Sequence, residues 1–359
     1  MATRQKKVLV GLSGGVDSSV AAMLLHQQGH EVCGAYLRTW MEEDEVWGDC
    51  PARQDIEDAR ESARKIGIPF EVMNLVDAYR DKVVDYMVNG YSNGQTPNPD
   101  VMCNREIKFG AFLELARKQG FDCVATGHYC RRVQKDHSVQ LWEGKDKNKD
   151  QSYFLALLRQ EQLEKALFPL GDLTKPEVRE IAQDNSLPVA DKKDSQGICF
   201  LGKVKVNEFL SEYIPDSPGE VVDANGKRLG EHKGLHRYTL GQRKGIGIPS
   251  NHDDEHYVVV AKNSRENQLV VAFESVDAPG LYGQRFGVTG LSFLDSPIKN
   301  GASLLAKPRY RDASQKIYFR SQDKENAEIT FDDPQRALAL GQMVAFYEGE
   351  RLLGGAFYR

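Results

Sequence analysis

Residues 7–28 read KVLVGLSGGVDSSVAAMLLHQQ, and the fold is decided there. An apolar run ends at Gly11, and a helical pattern begins after Gly15. Between them stand Ser13, Gly14 and Gly15, followed by Val16, Asp17, Ser18 and Ser19. Glycines let the backbone approach a ligand closely, and hydroxyls add donors. The helix N-terminus offers unpaired N–H groups and a positive dipole end to an anion. The stretch reads as a phosphate cradle between a first strand and a first helix. It is not a Walker loop, because the lysine that motif requires is absent, and it is not GxGxxG.

The same alternation continues on the C-terminal side. EVCGAYL (31–37), PFEVMNL (69–75) and FDCVATG (121–127) read as strands, and helical patterns cover 55–65, 78–88 and 107–118. Strands alternating with helices of this length predict a doubly wound α/β domain with a parallel sheet. Residues 151–185 look helical, with Thr174 as N-cap, Pro176 in the first turn and Val178, Ile181 and Ala182 on the apolar face. From about residue 215 the pattern changes. Turn signals such as PDSPG and DANGKRLG separate short runs such as EHYVVVAK and QKIYFR, an all-β signature. The expected domains are 1–210, 211–280 and 281–359.

Of the 359 residues, 40% are hydrophobic and 28% charged, which excludes wholesale disorder and collagen-like classes. Apolar runs such as those at 257–261 and 304–306 fall far short of the roughly 20 residues that span a bilayer. MATRQKKVLVGLSGG lacks a signal-peptide core, so a cytoplasmic protein is expected. Six cysteines stand at 33, 50, 103, 123, 130 and 199 with no CxxC, so the usual zinc and iron–sulfur signatures are missing and no metal ligands are assigned.

Two of these cysteines sit in polar, glycine- and proline-punctuated surroundings. In TPNPDVMCNREIKFG (96–110), Pro97 and Pro99 predict a rigid loop holding Asn98, Asp100 and Cys103, with Asp100 three residues before the thiol. In KKDSQGICFLG (192–202), Lys192 and Lys193 would favour the nucleophilic thiolate of Cys199. Cys33 and Cys123 fall within predicted strands and read as core; Cys50 and Cys130 lean structural. A phosphate-binding loop with two such cysteines suggests chemistry in which an oxygen is made a leaving group and replaced by sulfur.

SGGVDS resembles the PP-loop of the N-type ATP pyrophosphatases, enzymes of the adenine nucleotide alpha hydrolase-like fold. That resemblance implies attack on the α-phosphorus of ATP and release of pyrophosphate with Mg²⁺, with no tightly bound cofactor. SGGVDSS, TPNPDVMCNREIKF, ATGHY, KDQSYFL, FPLG, KKDSQGICFLG, TLGQRKG, KPRYR, and FDDP followed by GQ and FYEGE occur in the order found in the MnmA family of tRNA-specific 2-thiouridylases. The strings run from residue 11 to about 350. The resemblance implies a small central mixed/β domain that touches tRNA and a C-terminal β-barrel. It also implies a tRNA-uridine 2-sulfurtransferase that adenylates the C2 oxygen of wobble uridine and then transfers sulfur from a Cys199 persulfide, giving 2-thiouridine, AMP and pyrophosphate. By resemblance, Gly11, Leu12, Ser13, Gly14, Gly15, Val16, Asp17 and Ser18 bind the phosphates, while Leu37 and Gly127 flank the adenosine. Cys199 carries the persulfide, Cys103 is its partner nucleophile, ending in a Cys103–Cys199 disulfide, and Asp100 is the general acid/base. A route in which Cys103 first releases sulfide fits equally well. The implied partners are tRNAs of the Lys, Glu and Gln acceptors and a sulfur donor such as a cysteine desulfurase.

The formal charge of -5 argues against a generic nucleic-acid coat, but it is unevenly spread. Residues 226–245 carry Lys227, Arg228, Lys233, Arg237, Arg243 and Lys244 against Glu231 alone, with His236 and Tyr238 interleaved for phosphate contact and stacking. Residues 39–62 carry nine acids against Arg53 and Arg60, a patch expected to face away from RNA. By resemblance, Asn98, Pro99, Asp100, His128, Lys149, Asp150, Gln151, Arg309, Tyr310 and Gln342 contact the tRNA. The PP-loop alone would also allow an ATP-dependent ligase or amidotransferase acting on a small metabolite, or a nucleotide-binding regulatory module. Either would leave the two cysteines and the basic β-rich half unexplained.

Overall fold

The computed structural model of the chain describes residues 5–40, 51–135, 138–193, 205–249 and 255–359. Cys50, Cys199 and the acids between 42 and 49 lie outside the described residues.

The N-terminal domain contains β1 (Lys7–Gly11), β2 (Glu31–Arg38), β3 (Phe70–Asn74) and β4 (Cys123–Ala125). After a hairpin, β5 (Cys130–Lys135) and β6 (Ser138–Glu143), comes β7 (Ala166–Leu167). The sheet runs β3-β2-β1-β4-β7, every pairing parallel, with Leu9 opposite Cys33 and Val124. Alternation along β1 feeds two cores. Val8 and Val10 join Ala22 and Leu25 of α1 (Val16–Gln27) and Ala59 and Ala63 of α2 (Pro51–Ile66) on one face. Leu9 joins Val83 and Met87 of α3 (76–92) and Phe109 and Phe112 of α4 (99–118) on the other. Both α3 and α4 contain a π-helical stretch, Arg80–Val84 in one and Cys103–Ala111 in the other. Such stretches recur at functional sites.

Within 151–185, helix of substance is confined to α5 (Lys175–Asp184), preceded by single turns at Ser152–Leu155 and Gln160–Leu163. Thr174 and Pro176 open α5 as the sequence predicts. Glu177 reaches back to the Thr174 N–H at 2.6 Å, and that bond foremost, with Lys145, brings its carboxyl down to about 2. Val178 and Ala182 pack on Val16 and Val20 of α1.

The helix α6 (Val206–Ser211) leads to a central sheet of β8 (Gly219–Asp223), β9 (Arg228–His232), β10 (Tyr257–Asn263) and β11 (Gln268–Phe273), ordered β10-β11-β8-β9. The third unit comprises β12 (Tyr282–Phe293), β13 (Ala302–Lys307), β14 (Gln315–Ser321), β15 (Asn326–Arg336), β16 (Met343–Glu348) and β17 (Arg351–Tyr358). These run β12-β15-β14-β13-β16-β17, and pairing of β12 with β17 closes a barrel. Period-two alternation fills it: Ile317 and Phe319 point inward while Lys316, Tyr318 and Arg320 are exposed. The hairpin β5–β6 of the first domain adds to the barrel through Leu141 opposite Leu352. One sheet therefore spans both units.

Candidate functional site

β1 continues through α1 to β2 on one side, whereas β4 lies on the other. The crevice between the C-terminal ends of β1 and β4 is thus the topological switch point, where open α/β sheets bind ligands. Two loops meet there: Gly11–Gly15 after β1, and Thr126–His128 after β4. Gly14 has φ +72°, and a Cβ there would collide with the backbone of Asp55. At Gly127 a Cβ would stand 2.8 Å from the Ser18 backbone nitrogen, so only glycine lets the second loop close on the first turn of α1. The loop is self-braced: Ser18 Oγ accepts from the Ser13 N–H at 3.2 Å and donates to the Gly15 carbonyl at 3.1 Å. Leu37 lies near the end of β2 opposite Met73.

Although the loop contains no cation, lysines from distant segments reach both ends of it. Lys175 Nζ lies 2.6 Å from Asp17 Oδ1, and the Tyr129 hydroxyl donates to the same oxygen at 2.7 Å. Lys192 Nζ donates to the Gly14 carbonyl at 3.0 Å and to Asp55 at 2.7 Å, and also pairs with Asp58. The sequence reading set Lys192 and Lys193 near the Cys199 thiol, which lies outside the described residues. The structure places the Lys192 ammonium between two carboxylates of α2, because these acids, remote in sequence, flank the loop in space. Lys193 is exposed.

Asn98 and Pro99 open α4. Asn98 Oδ1 accepts from the Val101 N–H at 3.3 Å and Pro99 occupies the first turn. The helix thus begins eight residues before the expected Ile107, and Cys103 sits on it rather than in a loop. Asp100 and Cys103, three residues apart, share a side of the helix. Cys103 is 3% exposed and starts the π-helical stretch. That widened stretch is tied from outside: Gln162, also buried, donates through Nε2 to the Arg105 carbonyl at 2.8 Å and the Phe109 carbonyl at 2.9 Å. Nothing local in the sequence announces Gln162.

The segment 149–155 joins these parts to the barrel. Gln151 Oε1 accepts from the Tyr129 N–H at 3.1 Å, behind the phosphate loop. The Phe154 carbonyl accepts from Asn104 at 3.2 Å, beside Cys103. Asp150 is 5% exposed. It accepts from the Gly144 N–H at 3.0 Å and the Ser152 hydroxyl at 2.9 Å, and pairs with Lys307 of β13 at 3.0 Å. The Tyr310 ring packs 4.3 Å from that of Phe154, and Arg309 Nε pairs with Asp312 at 3.2 Å. Gln342 follows Gly341, which packs against Gln95; its side-chain oxygen is buried with no hydrogen-bond donor among the described residues. Lys149 is half-buried. The His128 ring lies among Phe109 and Phe168, its Nδ1 2.7 Å from the Thr126 hydroxyl. Burial, then the charge of Lys108, holds its pKa well below the usual value, so the ring is neutral.

The other described thiols are held in their protonated form by burial. Burial foremost, with Glu71, pushes Cys33 up to about 11; burial and Asp150 push Cys130 well above the usual thiol value.

Folding dilutes the basic window of 226–245. Arg228 pairs with Glu220 and Glu231, Arg237 with Asp216, and Arg243 with Glu274. His236 and Tyr238 are buried, the Tyr238 ring in the core of the central sheet. They are not a stacking platform. Lys227, Lys233 and Lys244 remain exposed.

Family models match in series: one described as tRNA methyl transferase HUP domain over residues 6–203, one as tRNA methyl transferase PRC-barrel domain over 207–273, and one as aminomethyltransferase beta-barrel domain over 284–357. The chain is 51% identical over 352 residues to the tRNA-specific 2-thiouridylase MnmA of Akkermansia muciniphila, covering 98% of each. With the enzyme of that name from Staphylococcus epidermidis it shares 46% identity over 360 residues, covering 99% of this chain and 96% of the relative. Among solved structures, a 4-thiouridine synthetase–RNA complex with bound ATP gives a TM-score of 0.38 at 16% identity, over 58% of this chain and 50% of that one.

Proposed function

Because the chain belongs to the family of tRNA-specific 2-thiouridylases, we propose that its crevice adenylates the wobble uridine of tRNA and that Cys103 and Cys199 then exchange the activated oxygen for sulfur. The protein is an ATP-using tRNA sulfurtransferase. The observation that carries the reading is the meeting of the SGGVDS and ATGH loops at the switch point, with the Cys103 helix packed on the same sheet.

The chemistry follows from the residues. Gly11 to Ser18 hold the polyphosphate on backbone N–H groups and the α1 dipole, with Leu37 and Gly127 beside the adenosine. Uracil O2 attacks the α-phosphorus, pyrophosphate leaves with the bonding pair, and Asp100 takes the uracil N3 proton. O2 alone is a poor leaving group; as AMP it departs readily. The terminal sulfur of a Cys199 persulfide attacks C2 and AMP leaves. Cys103 then attacks the Cys199 sulfur, breaking the S–S bond, so that the thiocarbonyl remains on the base and a Cys103–Cys199 disulfide awaits reduction by a cellular thiol. In the alternative order Cys103 first attacks the Cys199 sulfur and frees sulfide, which then attacks C2; AMP, 2-thiouridine and the disulfide result either way. Among the described residues no group of three or more His, Cys, Asp or Glu side chains is arranged to hold a metal ion. Mg²⁺ would therefore enter on the phosphates, where it neutralises charge.

For RNA, the exposed Lys227, Lys233 and Lys244 supply sequence-independent phosphate contacts. Asn98, Pro99 and Asp100 lie at the start of α4 beside the target base. The neutral His128 suits hydrogen bonding to a base rather than phosphate charge. Asp150 and Gln151, held by Lys307 and Tyr129, shape the surface that Lys149, Arg309, Tyr310 and Gln342 present to tRNA. A wobble base can be splayed out of its loop to reach such a pocket. The proposed setting is the cytoplasm, with sulfur supplied by a persulfide donor such as a cysteine desulfurase; no helix among the described residues is long and apolar enough to cross a membrane.

The test is pyrophosphate release from ATP with and without a tRNA transcript, with sulfide as donor and 2-thiouridine measured alongside. The reading requires tRNA-dependent release and thiolation. Release driven by a small metabolite but not by tRNA would end it in favour of a ligase.

A further inference from the structure

Lys262 stands where a regular strand would not put it. The pairing of β10 with β11 shifts between Val259 and Ala261, so that Val259 opposes Val271 while Lys262 opposes Leu269. Directly opposed residues share a face of a sheet, whereas residues three apart in a regular strand do not. The bulge therefore turns Lys262 onto the face where Val259, Leu269 and Val271 form the core of the central sheet. From there the half-buried side chain reaches the first domain, and its ammonium donates to the Gly94 carbonyl at 3.1 Å.

That bond does not account for a charge. A neutral donor would satisfy a carbonyl at less cost in desolvation. Among the described residues the ammonium has no other hydrogen-bond or ion-pair partner. Burial alone, with no opposing carboxylate, brings its pKa down to about 8, which leaves it protonated at neutral pH. An ammonium has three donors, and Gly94 uses one. The segment it grips is held by all three units: the Thr96 N–H donates to the Leu340 carbonyl of the barrel at 2.8 Å, and the Thr96 hydroxyl lies 3.4 Å from that of Thr239. Gly94 stands four residues before Asn98, at most about 14 Å of chain. We propose that Lys262 binds a tRNA phosphate flanking the splayed wobble nucleotide, whose base lies at Asn98, Pro99 and Asp100. The bulge thus sets beside the base pocket a cation that lies outside the basic window of 226–245.

The proposal rests on tRNA being the substrate, and one set of titrations separates the two. Binding of a tRNA transcript is measured over a salt series for the full chain, Lys262→Met and Lys262→Arg, with ATP binding and urea unfolding alongside. Lys262→Met should weaken tRNA by about tenfold, flatten the salt slope by about one and leave ATP within about twofold, while Lys262→Arg keeps most of the affinity. Lys262→Met should also fold at least as stably as wild type, whereas a residue that only ties two domains together would lose stability. A tRNA with uncharged methylphosphonates on both sides of the wobble uridine should bind wild type and Lys262→Met equally. A difference that persists on the modified tRNA, an unchanged salt slope or unchanged tRNA affinity would overturn the proposal. Wild-type protein that binds no tRNA would instead overturn the reading on which it rests. If Lys262→Met does not fold, amine acylation of the wild type followed by peptide mass spectrometry decides. The transcript, but not ATP, should protect Lys262, and equal labelling with either would refute the contact.

Discussion

Lys307, on a strand of the barrel, lies 3.0 Å from Asp150, in the segment that braces the phosphate loop of the first domain. The same ammonium pairs with Glu143 at 2.7 Å and stands over the Tyr347 ring, 5.1 Å from its centre. The Ser152 hydroxyl, bonded to Asp150, also meets the Tyr347 hydroxyl at 3.0 Å. The barrel is thus locked to the ATP domain by a buried charge cluster as well as by the shared sheet. Removing one partner of a buried pair strands the others, typically at about 3–5 kcal/mol. Lys307→Met should cost that much in urea unfolding and impair tRNA-dependent turnover. A loss below about 1 kcal/mol would mean that the cluster does not hold the interface.

Gln162 joins the Cys103 helix to the loop before β7. Gln162→Leu removes donors from two buried carbonyls, those of Arg105 and Phe109. At about 1–3 kcal/mol for each group left unsatisfied, the variant should lose roughly 2–6 kcal/mol. Sulfur transfer should slow while ATP affinity holds, since Gln162 touches the cysteine helix and not the phosphate loop. Rapid-quench measurement of adenylation and thiolation in one sample separates the two; equal slowing would refute the assignment.

Lys262 of β10 donates to the Gly94 carbonyl at 3.1 Å, four residues before Asn98, and burial lowers its pKa to about 8. Folding therefore lowers this pKa below the ordinary value near 10.5. Below about pH 8 both states hold the proton and the burial cost is full. Between about 8 and 10.5 the folded state sheds it first, so stability rises with pH. Replacing the charge in Lys262→Met should stabilise the protein most near pH 7, and the advantage should shrink by about 3 kcal/mol by pH 10.5. An advantage independent of pH would show that Lys262 keeps its ordinary pKa.

Much of the first domain was legible because its signals are local: the apolar run before Gly11, the glycines of the loop and the Thr174–Pro176 helix start all act within a few residues. The start of α4 was also readable, since Asn98 before Pro99 is a cap followed by a first-turn proline. It was missed because the two prolines were read as loop stiffeners. The π-helical stretch has no compositional mark; it depends on Gln162, which is 57 residues from Arg105. The barrel-docked hairpin was hidden for a similar reason, because its partner strand lies more than two hundred residues away. The charge window over 226–245 misled because the acids that neutralise Arg237 and Arg243, Asp216 and Glu274, lie outside it.

Cys199 and Cys103 should act after ATP. Cys199→Ser should abolish thiolation from a persulfide donor yet leave tRNA-dependent pyrophosphate release nearly intact. Loss of both together would make Cys199 a structural residue.

The central claim is that the uridine C2 oxygen departs as part of AMP. A tRNA carrying the heavy oxygen isotope at C2 of the wobble uridine tests it by mass spectrometry of the products. The account predicts one labelled AMP phosphate for each 2-thiouridine formed. Unlabelled AMP, with the isotope recovered in water, would contradict it.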